Sequence, residues 1–161
     1  MHTYASALDL IGVTVPDHLV ADATVPILTG PQAQGDLMVV PIENAPEQGW
    51  QPLPEDGVQL IRGEATGNTH WLHRGFDSPD VTWQRHAPST TGAAADDDTL
   101  VVAQLQVPAG QSALLIHTDE HGANGIGPGR FVIRRKREQR FELIQTETTA
   151  DDAPYVDYVA D

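Results

Sequence analysis

The sequence predicts an all-β protein, a single compact β-barrel or β-sandwich of the jelly-roll type, with an extended arm at each end. Two observations support this prediction. Short segments rich in β-branched and aromatic residues follow one another, each bounded by Gly, Pro, Asp or Asn. The chain also carries 14 glycines and 12 prolines along its length, a distribution that suits many turns and disfavours long helices.

Seven segments are predicted to form strands because their apolar residues alternate or run continuously over a few positions. They cover residues 36–42, 58–61, 70–73, 81–83, 99–107, 112–117 and 130–137. Between 99–107 and 112–117, Pro108 and Gly110 predict a reverse turn, so we expect these two strands to pair as a hairpin. A short helix is also expected around residues 3–8.

Composition divides the chain into a β domain of residues 36–146 and two arms. Residues 1–35 are punctuated by proline and predict an extended arm with two short strands. Residues 147–161 are acidic yet carry Tyr155 and Tyr158, which we expect to contact a neighbouring subunit. The total of 161 residues is enough for one domain with a real core.

The charge of the chain is large and unevenly placed. A formal net charge of −14 argues against a general nucleic-acid binder, because phosphate contacts need a basic surface. Six of the nine basic residues nevertheless lie within residues 130–140. This basic strip consists of Arg130, Arg134, Arg135, Lys136, Arg137 and Arg140. It is read as a strand that leaves the core and meets acidic groups on another copy of the chain or on a major structural protein; a solvated strand end is the alternative.

Several classes of protein and site are disfavoured by what the sequence lacks. Without cysteine there are no disulfides and no thiolate metal ligands. No apolar run approaches the length of a membrane span, and residues 4–15 do not follow the pattern of a signal peptide. Residues 122–129 (GANGIGPG) lack the Lys-Ser/Thr of a phosphate loop and are predicted to form a turn. We expect a cytoplasmic protein, or a virion protein if a phage encodes it.

Two pairs of histidines raise the question of a metal site. His117 and His121 flank three residues, and an extended chain would hold their imidazoles about 13 Å apart, too far for one ion. We therefore predict a polar surface loop with solvated histidines, no cofactor and no tightly bound metal. A turn at residues 118–120 is the arrangement that would bring the two rings together.

The alternative is a cupin-like metal-binding protein or metalloenzyme. Its ligands would be His70, His117 and His121, with His73 or Glu120 completing the set. The spacing between His70 and His73 departs from the His-x-His and following Glu of a cupin, so we do not expect the cupin metal site itself.

Three segments resemble a family of small uncharacterised bacterial and bacteriophage β proteins. They are residues 34–42 (QGDLMVVPI), 63–70 (GEATGNTH) and 114–138, which contain LLIHTDEHG and PGRFVIRRKRE. The resemblance covers roughly residues 34–140 and implies a β unit with no known activity. Asn68 stands where that family has a histidine, and Phe131 where it has a tyrosine. If the family's histidines bind a metal, this chain has lost one candidate ligand.

Together these observations favour a non-enzymatic structural protein that docks into a symmetric assembly. The phage side of the resemblance makes a virion accessory protein, either a capsid decoration or a minor capsid protein, the most specific form of this hypothesis. The fold alone does not decide between this role and the metal-binding alternative, since β-barrels host both.

Overall fold

The computed structural model describes residues 1–62, 69–86, 100–119 and 121–136. Within them the chain is almost entirely β, as predicted, and forms a two-sheet sandwich with one short helix. The helix α1 spans Tyr4–Asp9. The strands are β1 (Ile27–Leu28), β2 (Gln32–Gln34), β3 (Leu37–Pro41), β4 (Gln51–Pro52), β5 (Val58–Arg62), β6 (Thr69–Arg74), β7 (Thr82–Arg85), β8 (Val101–Val107), β9 (Ala113–His117), β10 (Ala123–Ile126) and β11 (Gly129–Arg135).

The strands divide into a five-stranded sheet, in the order β1-β10-β9-β6-β5, and a six-stranded sheet, in the order β2-β3-β11-β8-β7-β4. The described pairs are antiparallel except β1 with β10, which run parallel. Each of the seven segments predicted as strands overlaps one of these strands. The last of them, β11, lies between β3 and β8 in the middle of its sheet.

The main core lies between the two sheets. On β11, Phe131 and Ile133 are buried whereas Val132 between them is only half-buried, as the two-residue period of a strand requires. The other inward-facing apolar residues of the strands repeat this pattern from both sheets. They include Leu37, Val39, Leu60, Leu72, Ala103, Leu105, Leu115 and Ile126.

The prediction of a hairpin between β8 and β9 is wrong. The turn itself is present, with the Gln111 N–H donating to the Pro108 carbonyl at 3.1 Å and Gly110 at φ 75°. The two strands it joins nevertheless lie in different sheets: β8 pairs with β7 and β11, and β9 pairs with β6 and β10. Turn residues show that the chain reverses, but they do not specify its hydrogen-bonding partner.

The prediction of a simple turn at residues 122–129 is also wrong, because Ala123–Ile126 forms β10. This strand pairs with β9 on one side and with β1 on the other. Gly125 explains why a glycine-rich segment can form this strand. A Cβ at that position would lie 2.5 Å from the Pro26 carbonyl oxygen, so only glycine lets β1 approach this closely.

The N-terminal segment contributes a second core on the outer face of the five-stranded sheet. Ala7, Leu8 and Val25 are buried there against Leu114 and Ile116 of β9. The expectation that residues 1–35 lie outside the core is therefore wrong, although the expected helix and short strands are present. Residues 147–161, the predicted C-terminal arm, lie outside the described residues.

Helix α1 is short: its sequence has a strong N-terminal cap, but a glycine follows soon after its last turn. Thr3 and Ser6 form a capping box, in which the Ser6 N–H donates to Thr3 Oγ1 at 3.1 Å and the Thr3 N–H donates to Ser6 Oγ at 2.9 Å. Gly12, at φ 70°, turns the chain soon after Asp9. Among the described residues no helix is long and apolar enough to cross a membrane.

The two sheets are also joined by side chains at their margins. Arg85 of β7 reaches across to β5, where its guanidinium donates to the Leu60 carbonyl at 3.1 Å and to the Gln59 carbonyl at 2.8 Å. These carbonyls lie where the pairing of β5 with β6 shifts register, between Gln59 and Ile61. Arg85 therefore satisfies backbone acceptors at an irregularity in the edge strand.

We predict that Leu8→Ala lowers the free energy of unfolding by about 2–5 kcal/mol, because it leaves a cavity in the second core. Leu8 is 0% exposed, whereas Leu10, two residues along the same chain, is 43% exposed. Leu10→Ala is therefore the matched control and should change the stability much less. Urea denaturation followed by tryptophan fluorescence measures both, and equal effects of the two variants would show that the N-terminal segment is not part of the cooperative fold.

Candidate functional site

The site begins with two histidines on neighbouring strands. His70 on β6 lies directly opposite His117 on β9 in the antiparallel register. Both follow the inward-facing alternation of their strands, with Leu72 and Leu115 further inside, so both point between the sheets at one end of the sandwich. Their side chains are 2% and 5% exposed, and their rings meet edge to face at 4.6 Å between centroids.

A tight turn brings His121 to the same place. The His117 N–H donates to the Gly122 carbonyl at 2.9 Å, and the Asp119 N–H donates to His117 Nδ1 at 3.1 Å. The His121 ring consequently lies 4.7 Å from that of His117, centroid to centroid. The extended geometry assumed from the sequence is wrong here, and so is the expectation that His117 is solvated; His121 itself is exposed.

Two residues that sequence reasoning missed hold the His70 ring from opposite sides. His70 Nδ1 lies 3.2 Å from Oε1 of Gln34, and His70 Nε2 lies 3.0 Å from Oδ1 of Asp36. Gln34 is buried at the end of β2, whereas the Asp36 side chain is 63% exposed at the mouth of the sandwich. In the sequence, Gly35 and Asp36 stand at the start of a predicted strand. That position indicated where the strand begins, and it did not indicate that Asp36 belongs to a site.

Gly35 allows the rings to meet. Its φ of 56° lies in the left-handed region that favours glycine. A Cβ at this position would lie 3.2 Å from the His121 ring and 3.4 Å from Cε1 of His70. Gly35 therefore lets the backbone between Gln34 and Asp36 pass directly beside both imidazoles.

Burial favours the neutral form of both inner histidines. The pKa of His117 is lowered to about 4, first by burial and then by the neighbouring imidazoles of His70 and His121. The pKa of His70 is also lowered by burial, and this effect outweighs the opposing influence of the Asp36 carboxylate. The contact between His70 and Asp36 has the distance of an ion pair, but the burial of the imidazole opposes the charge that an ion pair needs.

The cluster differs from the ligand set expected for the metal-binding alternative. His70, His117 and His121 do come together, but His73 points to the opposite face of β6, because three positions along a strand reverse the side-chain direction. Glu120 lies outside the described residues, as does Asn68. In the described ranges no group of three or more His, Cys, Asp or Glu side chains is arranged so that it could hold a metal ion as it stands.

The basic strip does not project from the sheet as far as it is described. Arg135 and Lys136 still donate backbone hydrogen bonds to Leu100 and Asp36, so the chain remains between its neighbours. Arg130 is exposed on β11 and Arg134 is half-buried. The remaining members of the predicted interface, Arg137, Arg140, Tyr155 and Tyr158, lie outside the described residues.

A separate cavity of about 290 Å³ lies at the opposite end of the sandwich. Its wall includes His2, Phe76 and Ser112, and none of the clustered histidines contributes to it. Phe76 is 61% exposed at its rim. The cavity therefore shares no residue with the histidine cluster. A ligand bound in it would not contact the three clustered histidines.

These features define a class: an all-β sandwich with one end closed by three imidazoles, a carboxylate and a buried amide. The chain belongs to the family described as a domain of unknown function, DUF8820, whose model matches residues 33–136. The match includes Gln34, Asp36 and all three clustered histidines, and it leaves α1 and β1 outside. Neither a curated protein nor a solved structure matches the chain.

We predict that the fold is less stable in mild acid. The unfolded chain binds a proton on each histidine near pH 6.5, but folded His117 does so only near pH 4. The unfolded state therefore binds more protons between these values, and the free energy of unfolding falls as the pH falls through this window. Urea midpoints measured from pH 7.5 to pH 4.5 in the presence of EDTA test this expectation.

His117→Gln should reduce the pH dependence, because it removes the most strongly shifted imidazole. His18→Gln, at an exposed position, is the control and should retain the dependence of the wild-type protein. A wild-type stability that is constant across the window would contradict the burial of neutral histidines.

Proposed function

We propose that this protein binds a divalent transition-metal ion between His70 and Asp36, at the mouth of the sandwich. The observation that carries the proposal is the approach of His70 Nε2 to Asp36 Oδ1 at 3.0 Å, since both atoms are acceptors as long as Nε2 carries no proton. Two acceptors at this distance repel each other unless a cation, either a proton or a metal ion, lies between them.

The hydrogen bonds of the other ring nitrogen, Nδ1, show where His70 carries its first proton. Both N–H groups of the Gln34 amide are engaged, donating to the Leu115 carbonyl at 2.8 Å and to Asn124 Oδ1 at 3.0 Å. The Gln34 oxygen therefore faces His70, and His70 Nδ1 must carry a proton to donate to it. In a neutral imidazole this leaves Nε2 with a lone pair aimed at Asp36.

Burial lowers the pKa of His70 more than Asp36 raises it, which opposes a second proton on the ring; a metal ion bound by both groups is the other cation that the pair can share. Imidazole nitrogen and carboxylate oxygen bind zinc at about 2.0–2.2 Å, so two such ligands in a tetrahedral site lie about 3.4 Å apart. The observed separation needs an adjustment of only a few tenths of an ångström. With imidazole and carboxylate ligands and no thiolate, ions such as Zn²⁺, Ni²⁺ or Co²⁺ are the class expected.

His121 is the third donor in this proposal. It is exposed, it lies beside Gly35 and His117, and its ring can turn about its own side-chain bonds without disturbing the core. His117 is not assigned as a ligand in this conformation. Its Nδ1 accepts the Asp119 N–H, so in the neutral ring its Nε2 carries the proton.

The prediction is that the protein binds Zn²⁺ after dialysis against EDTA, as measured by isothermal titration calorimetry at pH 7.5. Asp36→Asn should weaken binding at least tenfold, because a neutral amide oxygen replaces a charged ligand, and His121→Ala should weaken it as well. Both positions are exposed, so both variants should fold.

Asp9→Asn, which removes an exposed carboxylate on α1, and His2→Gln, at the other end of the sandwich, are the matched controls. Both should bind as the wild-type protein does. If wild-type protein shows no Zn²⁺, Ni²⁺ or Co²⁺ binding, or if Asp36→Asn binds equally well, the proposal is wrong and the pair is held by a proton.

The docking role inferred from the sequence remains a prediction alongside this proposal, whereas the proposal replaces the sequence-based expectation of no tightly bound metal. The docking role concerns the basic strip and residues 147–161, whereas the metal proposal concerns the mouth of the sandwich, so the two roles do not compete for the same side chains.

A further inference from the structure

We infer that Gln34 and Asn124 are positioning residues, which hold a proton on His70 Nδ1 so that Nε2 is the nitrogen that faces Asp36. The inference rests on the proposed function in one respect: a metal ion needs an imidazole lone pair and not an N–H. The positioning itself is argued from the hydrogen bonds of the described residues. Metal-binding histidines commonly depend on such an outer partner for their orientation.

The argument starts from groups that have no alternative orientation. Backbone carbonyls accept hydrogen bonds and never donate them. Asn124 Nδ2 donates to the Ala33 carbonyl at 3.1 Å and to Gln32 Oε1 at 3.2 Å. Gln32 Nε2 in turn donates to the Gly125 carbonyl at 3.0 Å. The amides of Gln32 and Asn124 are thus both oriented by main-chain oxygens.

The orientation then passes to Gln34. With its nitrogen turned to Ala33 and Gln32, Asn124 presents its oxygen to Gln34 Nε2. The Leu115 carbonyl accepts from the same nitrogen. A reversed Gln34 amide would place its oxygen against these two acceptors and would lose two buried hydrogen bonds. Gln34 is 2% exposed, so water does not replace them.

The last step reaches His70. Gln34 Oε1 is the partner of His70 Nδ1 at 3.2 Å, so Nδ1 carries a proton whether or not a second cation joins Nε2 to Asp36. The chain of amides draws on both sheets, because Gln32 and Gln34 belong to β2 whereas Asn124 and His70 belong to β10 and β6. The tautomer of His70 is therefore set by how the two sheets meet, before any ion arrives.

Nitrogen NMR of uniformly ¹⁵N-labelled, metal-free protein at pH 7.5 tests this inference, with the His70 signals assigned by comparison with His70→Gln. Wild-type His70 should show a protonated Nδ1, which donates to Gln34, whatever the state of Nε2 beside Asp36. Gln34→Leu should give a mixture of tautomers and weaken Zn²⁺ binding by roughly 10- to 100-fold.

Asn124→Ala provides a second test should Gln34→Leu fail to fold. It leaves Gln34 with one partner fewer and should also mix the tautomers. Gln106→Leu on β8, outside the network, is the control and should change nothing.

A wild-type His70 unprotonated at Nδ1, or a protonation of Nδ1 unaffected in both Gln34→Leu and Asn124→Ala, would overturn the inference. Because the spectra are taken without metal, a protein that shows the expected tautomers but binds no ion would refute the proposed function alone.

Discussion

The structure depends on the burial of β9 on both faces. All five residues of Ala113–His117 are buried, with Leu115 facing the other sheet and Leu114 and Ile116 facing the N-terminal segment. A strand of this kind needs a cover on each side. The six-stranded sheet supplies one cover, and α1 with its flanking residues supplies the other. Because β9 ends on a histidine, the same constraint places an imidazole inside the protein at the rim of the sandwich.

The candidate site joins the two sheets. Strand β2 pairs only with β3 among the described strands, and over just three residues, yet its two glutamines reach the backbone of β9 and β10. These side-chain hydrogen bonds connect the two sheets at this margin, where no backbone hydrogen bonds between described strands join them. Asp36 follows two residues later and so arrives beside His70. Any change in the distance between the sheets would alter the environment of His70 directly.

The sequence predicted most of the strands but not the site. Strand positions depend largely on local patterns, and each of the seven predicted segments overlaps a strand, whereas β4 and β10 were not predicted. The partners of His70 are 34 and 36 residues away along the chain, and nothing in a local pattern reports the register that brings them together. The error at His117 and His121 arose from extending strand geometry past the last residue of β9, into a turn closed by the Gly122 carbonyl.

The contact of Arg85 with β5 has a consequence for how copies of this protein meet one another. Strand β5 is an edge of its sheet among the described strands, and a regular edge invites pairing with a strand of another molecule. Here the ladder is interrupted between Gln59 and Ile61, and a guanidinium occupies the carbonyls of Gln59 and Leu60. An incoming strand would have to displace a charged donor and match an irregular register. Arg85 therefore opposes the addition of another strand at this edge.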